Sequence, residues 1–265
     1  MLNFARHRFP LFNMKHILLF LLLISALTGT AQNANMAGPD TNQTDASNKK
    51  QGVWKIPEAA VTWYGNYTDD RKEGSWIAYY LNGMLSSIDM YRRGLKNGIC
   101  IQLDRNGTFI GDQYYAEGAL DGRSRIFYGG GRIKTEIFYR NGKLNGVKRI
   151  YSPDGKLQEE GNYLNDVRDG VFIWFYTDGK PNTRSLYKND KLDGMQITYY
   201  KGGEKESEVL YKNDLRQGLY TVYYENGKPK TEGRFTDDKE TGAWKNYNEE
   251  GKVHIQKYKN GVEIK

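Results

Sequence analysis

One cysteine, three histidines and six prolines among 265 residues exclude several classes of protein at the outset. Cys100 alone cannot build a disulfide framework. His7, His16 and His254 leave metal-dependent, hydrolytic and general-base chemistry almost nothing to work with, so no metal, cofactor or catalytic site is expected. Charge of one sign is also scarce. Lys and Arg total 39 against 32 Asp and Glu, with both signs interleaved and no basic stripe for a phosphate backbone, which excludes nucleic acid as an expected partner. The polybasic run or basic amphipathic helix that would mark membrane-surface binding is missing too. What abounds is glycine (30) and tyrosine (21), with five tryptophans, the composition of strands and turns.

The one long apolar run is near the start. Arg6, Arg8 and Lys15 precede Ile17 to Leu27, and small residues follow to Ala31. This is a secretory signal pattern, with Gly29 and Ala31 at minus three and minus one of a cut before Gln32 and no cysteine after it to carry a lipid. Residues 1–31 are therefore read as a signal peptide, with Met1 or Met14 as the start, and the protein as exported: periplasmic, cell-surface or secreted. Removal of that segment leaves 36 basic and 32 acidic side chains, a net charge of +4. Residues 32–50 are small and polar except Met36 and are expected to be a flexible spacer.

The rest of the chain is periodic. Glycine recurs every 24 residues from Gly74 to Gly242, and a second glycine series runs in the same step from Gly83 to Gly251. Between them stand two aromatic columns, Tyr79, Leu103, Phe127, Tyr151, Phe175, Tyr199, Tyr223 and Tyr247, then Tyr91, Tyr115, Tyr139, Tyr163, Tyr187, Tyr211 and Phe235. A repeat domain over residues 51–265 follows, with one short unit (52–73) and eight 24-residue units (74–265). Runs such as Gln196 to Tyr200 and Ser207 to Tyr211 are rich in β-branched and aromatic residues and bounded by Gly, Asn and Asp. No helical period is sustained. Short connections leave no room for crossovers, so the expected fold is all-β, an elongated single-layer antiparallel meander of about seventeen or eighteen strands built from tandem hairpin repeats.

The residue before the second glycine varies, from Asn82 through Asp154 to Glu250. Glu250 would resist the positive φ that a two-residue type I′ turn demands, whereas a type I turn closed by a left-handed glycine needs only the glycine. That three-residue loop predicts pairing of residue 79 with 85 and 75 with 89, and so places the Tyr79 and Tyr91 columns on one face. The other connection, for example Asn189-Asp190 followed by Asp193-Gly194, reads as turn chemistry throughout. Pro181 and Pro229 sit awkwardly two residues after a turn glycine, where no ladder bond can be donated.

Units such as Gly218-Leu-Tyr-Thr-Val-Tyr-Tyr-Glu-Asn-Gly-Lys-Pro-Lys-Thr-Glu-Gly-Arg-Phe235 resemble the variant MORN repeat of bacterial proteins of the YwqK antitoxin type, over roughly residues 52 to 265. The resemblance implies an elongated β-sheet protein used for binding and, in its antitoxin members, neutralisation of a toxic partner. An export signal departs from a cytosolic antitoxin and points instead to immunity outside the membrane.

Candidate sites are few. Cys100 aligns with Trp76 and Trp244 and is read as a small hydrophobe, and His254 as a solvated strand residue. Asp112, Glu136, Glu160, Glu208 and Glu232 share a column broken by Arg184, at about 9 to 10 Å spacing, near the about 6.5 to 9.5 Å of inverting glycosidases. Lys156, Lys180, Lys228 and Lys252, four residues earlier in their units, make a solvated face of mixed charge the reading adopted here. A further column, Tyr80, Tyr128, Tyr176, Tyr200 and Tyr224, lies beside Trp174 and Val222 on the face opposite Tyr79. Tyr128, Trp174, Tyr176, Tyr200 and Tyr224 are the candidate partner-binding anchors. The expected function is that of an exported, non-enzymatic protein-binding scaffold whose partner is a toxin or envelope protein. The alternative is a cell-wall or glycan-binding module that uses the same rings as sugar platforms.

Overall fold

A computed structural model of the chain describes residues 40–265, so the signal segment lies outside the described residues. These residues contain no helix and form one open antiparallel sheet of 21 strands, in which each rung is hydrogen-bonded to the rungs before and after it in sequence. The meander is the one the repeat predicts. The count exceeds the expectation for local reasons: Lys191–Leu192 and Gly194–Tyr199 are one rung interrupted at Asp193, and Gln43–Thr44 and Val262–Ile264 are short additions at the two ends. Residues 40–50, part of the segment expected to be a spacer, form a turn against the first long strand. Gln43 and Thr44 pair with Gln51 and Lys50, and the Asp45 carboxylate accepts the amides of Ser47 and Lys49.

Each unit contains two kinds of turn. The first is the three-residue loop: Gly83 N–H donates to Tyr80 O at 2.9 Å, Tyr80 N–H donates to Met84 O at 2.8 Å, and Gly83 alone has positive φ (+83°). Tyr79 pairs with Leu85 as expected. The second is a two-residue loop with both residues left-handed, as at Asn189 (φ 49°) and Asp190 (φ 65°), the geometry for which Asn, Asp and Gly are suited. The other glycine series is not a turn. Gly98 lies inside the strand Leu95–Leu103, at a bulge where four residue steps from Lys96 to Cys100 oppose two from Tyr91 to Asp89.

One register expectation is overturned. An extra residue follows each first turn from Gly83 to Gly227, though not the last one at Gly251, so that Tyr79 pairs with Leu85 while Ala78 pairs with Ser87. Ser75 therefore pairs with Met90, not residue 89, and Gly74 with Tyr91. Because side chains alternate with period two, that single bulge transfers the Tyr91 column to the face opposite Tyr79. Pro181 and Pro229 open their strands at the same bulge, paired with Phe175 and Tyr223, where loss of an amide is tolerated.

The transfer creates the core. Tyr67, Trp76, Phe172, Val209, Phe235 and Trp244 are all buried and all on the Tyr91 face. Rings meet edge to face: Tyr67 and Trp76 centroids lie 4.9 Å apart, Phe172 and Tyr187 5.1 Å, and Phe235 and Trp244 5.0 Å. Where a large ring stands in the central column, its cross-strand neighbour is glycine. A Cβ on Gly233 would lie 2.1 Å from the Trp244 ring, and one on Gly161 2.2 Å from Phe172. The ring thus lies flat on bare backbone and shields the sheet's own hydrogen bonds.

Candidate functional site

The five tyrosines singled out as a surface column stand at the start of the first turns, and each hydroxyl has an internal partner. Tyr80 donates to Leu103 O (2.8 Å), Tyr128 to Tyr151 O (2.9 Å), Tyr176 to Tyr199 O (2.6 Å), Tyr200 to Tyr223 O (2.7 Å) and Tyr224 to Tyr247 O (2.7 Å). Each bond joins one unit to the next. The exceptions in the column carry short side chains that cap their own turns, as when the Asp104 carboxylate accepts the amides of Asn106 and Thr108. All five rings are half-buried. Trp174 stands apart from them, 6.0 Å from Phe172 and 6.4 Å from Tyr187, as a flank of the ring core.

The opposite sheet edge has its own ladder. Asp190 takes the amide and guanidinium of Arg168 (2.9 and 3.1 Å) on its carboxylate, and Asp238 does the same for Arg216 (3.0 and 2.7 Å). Backbone hydrogen bonding to Arg168, then its guanidinium, holds the Asp190 carboxyl below the ordinary range, and for Asp238 the Arg216 side chain is the larger cause.

The acidic column faces the other way, with the Tyr79 column, and its partners are not the lysines of the preceding turn. On strands between the acids stand Arg125 and Arg149. Asp112, Arg125, Glu136, Arg149 and Glu160 form cross-strand neighbours of alternating sign. Arg125 clasps Asp112 with two hydrogen bonds, and Arg149 reaches Glu160 at 2.6 Å and Glu136 at 3.2 Å. Glu208 accepts from Lys205 (2.8 Å) and Tyr223 (2.6 Å), which lowers its pKa, the Lys205 bond being the larger cause. Every acid of the column therefore has a structural partner, and none stands as a free pair about a substrate. Cys100 is buried, and burial pushes its thiol up to about 11, so it stays protonated at neutral pH. His254 is exposed. Among the described residues no cluster of His, Cys, Asp and Glu could hold a metal ion.

The same face also carries apolar side chains open to water. Leu186 (36% exposed), Met195 (37%), Leu210 (41%) and Leu219 (54%) occupy successive strands, with Met195 directly opposite Leu210 and Val171 opposite Leu186. This row escapes simple pattern reading because the bulge changes which columns share a face. Once the extra residue is counted, the sequence shows it.

The family model described as MORN repeat variant matches residues 144–165, 168–189, 192–213 and 216–237. The chain carries tandem MORN-variant repeats. Each matched window holds one hairpin with its first turn and ends on the first residue of the second turn, and the same 24-residue geometry continues on both sides of the matched stretch. No curated protein matches the chain. Among solved structures, the GtfA/B complex bound to UDP and GlcNAc is similar at 16% identity over 46% of this chain, with a TM-score of 0.21. The aligned part spans 24% of that chain.

Proposed function

We propose that this MORN-variant sheet is an exported, non-enzymatic scaffold that recognises a protein partner through the face carrying Leu186, Met195, Leu210 and Leu219. The observation that carries the reading is the asymmetry between faces. One face spends its rings on the core and its tyrosine hydroxyls on neighbouring units, while the other leaves an ordered apolar row in water, bordered by paired charges. A row of this kind suits the buried centre of an interface, with the charges as its polar rim. Tyr176, Tyr200, Tyr224 and Trp174 then serve mainly to hold the units together. The signal pattern of residues 1–31 supports export, which suits an immunity-like role against a toxin or effector met outside the cytosol.

The test pairs two variants in capture from envelope extract, followed by reconstitution with the purified captured protein. Met195→Glu with Leu219→Glu should abolish the reconstituted complex while circular dichroism keeps its strand signature. Tyr200→Phe should leave the complex intact. Undiminished binding by the double glutamate variant would refute this choice of face.

A further inference from the structure

The central column of the buried face is interrupted twice, by Gln196 alone and over three successive units nearer the start. Between Trp76 and Phe172 it carries Cys100, Ser124 and Lys148 in place of rings, and the facing strands contribute Asp89 and Gln113. The next column is small there as well: Trp63, Ala78, Ser87, Gln102, Gly111 and Ile126 follow one another strand by strand. The short Ser87 and the bare Gly111 between the tall Trp63 and Ile126 leave a depression of about 330 Å³.

The chemistry of its lining is specific. The charges at its floor are satisfied within the protein, Asp89 by Lys96 at 2.9 Å, while the side chains of Asp112 and Arg125 pair with each other on the opposite face. A charged ligand would have to break the pair between Asp89 and Lys96. The groups left over are neutral. Among the described residues the Ser87 hydroxyl and the Gln102 amide have no hydrogen-bond partner, and Gln113 uses only its oxygen, accepting from Tyr115. Trp63, half-buried with its indole N–H given to Glu58, supplies a flat wall beside these donors and acceptors.

From this arrangement we propose that the depression binds one neutral sugar ring, whose apolar face lies on Trp63 and whose hydroxyls exchange hydrogen bonds with Ser87, Gln102 and Gln113. A polyhydroxylated ring is the ligand class that needs mixed neutral donors and acceptors together with an apolar plane, in a cavity of the size used by small-molecule sites. The site is distinct from the apolar row on the other face and does not depend on it.

Glucose, galactose and mannose, with glucuronate and glucosamine as charged controls, are titrated to millimolar concentrations into the full chain. Binding is read from the side-chain amide resonances of Gln102 and Gln113 and the indole resonance of Trp63. The expected result is a saturable shift of these resonances with at least one neutral sugar, weakened about tenfold or more in Gln102→Ala and in Trp63→Ala. Gln102 is exposed, so its variant keeps the test valid if Trp63→Ala fails to fold. Three results would overturn the proposal: no saturable shift with any neutral sugar, equal affinity in Gln102→Ala, or tighter binding of a charged control.

Discussion

The hydroxyl ladder along the first turns allows a quantitative test of how the units are joined. Tyr176, Tyr200 and Tyr224 each donate one hydrogen bond of 2.6 to 2.7 Å to the carbonyl that precedes the next unit's turn. Replacement by Phe removes the donor and keeps the ring. A net intramolecular hydrogen bond contributes about 0.5 to 1.5 kcal/mol. The three sites are separated by two strands each, roughly 10 Å, and sites that far apart with no shared partner add. The triple variant should therefore lose about 1.5 to 4.5 kcal/mol. With a urea slope near 3 kcal/mol/M the unfolding midpoint falls by about 0.5 to 1.5 M. Tyr187→Phe is the control. Its ring packs on Phe172 and Trp174, but its hydroxyl has no hydrogen bond among the described residues, so its midpoint should hold. A triple variant within about 0.5 kcal/mol of the parent, inside the range of ordinary surface changes, would refute the view that these tyrosines join the units.

Gly233→Ala should destabilise by about 1 to 3 kcal/mol, because the new methyl group meets the Trp244 ring at 2.1 Å and the ring must leave its place on the backbone; near-UV circular dichroism and urea melts would show it. Burial raises the pKa of Tyr91, Tyr115, Tyr139, Tyr211 and Tyr220, so their contribution is complete below the unfolded value of about 10 and is lost as pH climbs through the folded values. Urea midpoints should accordingly fall on going from about pH 8 to above about pH 10, in step with late tyrosinate absorbance. Lys72, lowered by burial, pulls the opposite way but is a single group. In-frame excision of Met195 to Gly218 removes one whole period and should give a shorter protein that folds with its strand signature intact; global collapse of that variant would contradict a stability shared out between neighbouring units.

The repeat, the antiparallel meander and the three-residue loop were legible because each depends on residues with few alternatives. Glu250 before Gly251 excludes one turn type, and the invariant step of 24 excludes crossovers. The facing of the columns was not legible. It depends on the extra residue at Ser86 and its counterparts Ile110, Lys134 and Gln158, and such a bulge accepts any side chain, so no residue type marks it. The role of the Tyr80 column was half legible. Its interruptions, Asp104, Ser152 and Asn248, are all side chains able to cap a turn, which marked the position as one that satisfies backbone. The depression beneath Trp63 was visible only as missing rings at Cys100 and Ser124, and needed the pairing to bring Gln102, Gly111 and Ser87 beside them.

The bonds that anchor both rows of turns span 20 to 23 residues and none reaches further. Closing entropy for such short segments stays fixed however many units the gene encodes. An all-β chain of this construction escapes the slow search that distant strand pairing imposes, and can nucleate at any hairpin and zip outward in both directions. Duplication of a unit during evolution would then lengthen the surface without lengthening the wait for the native state.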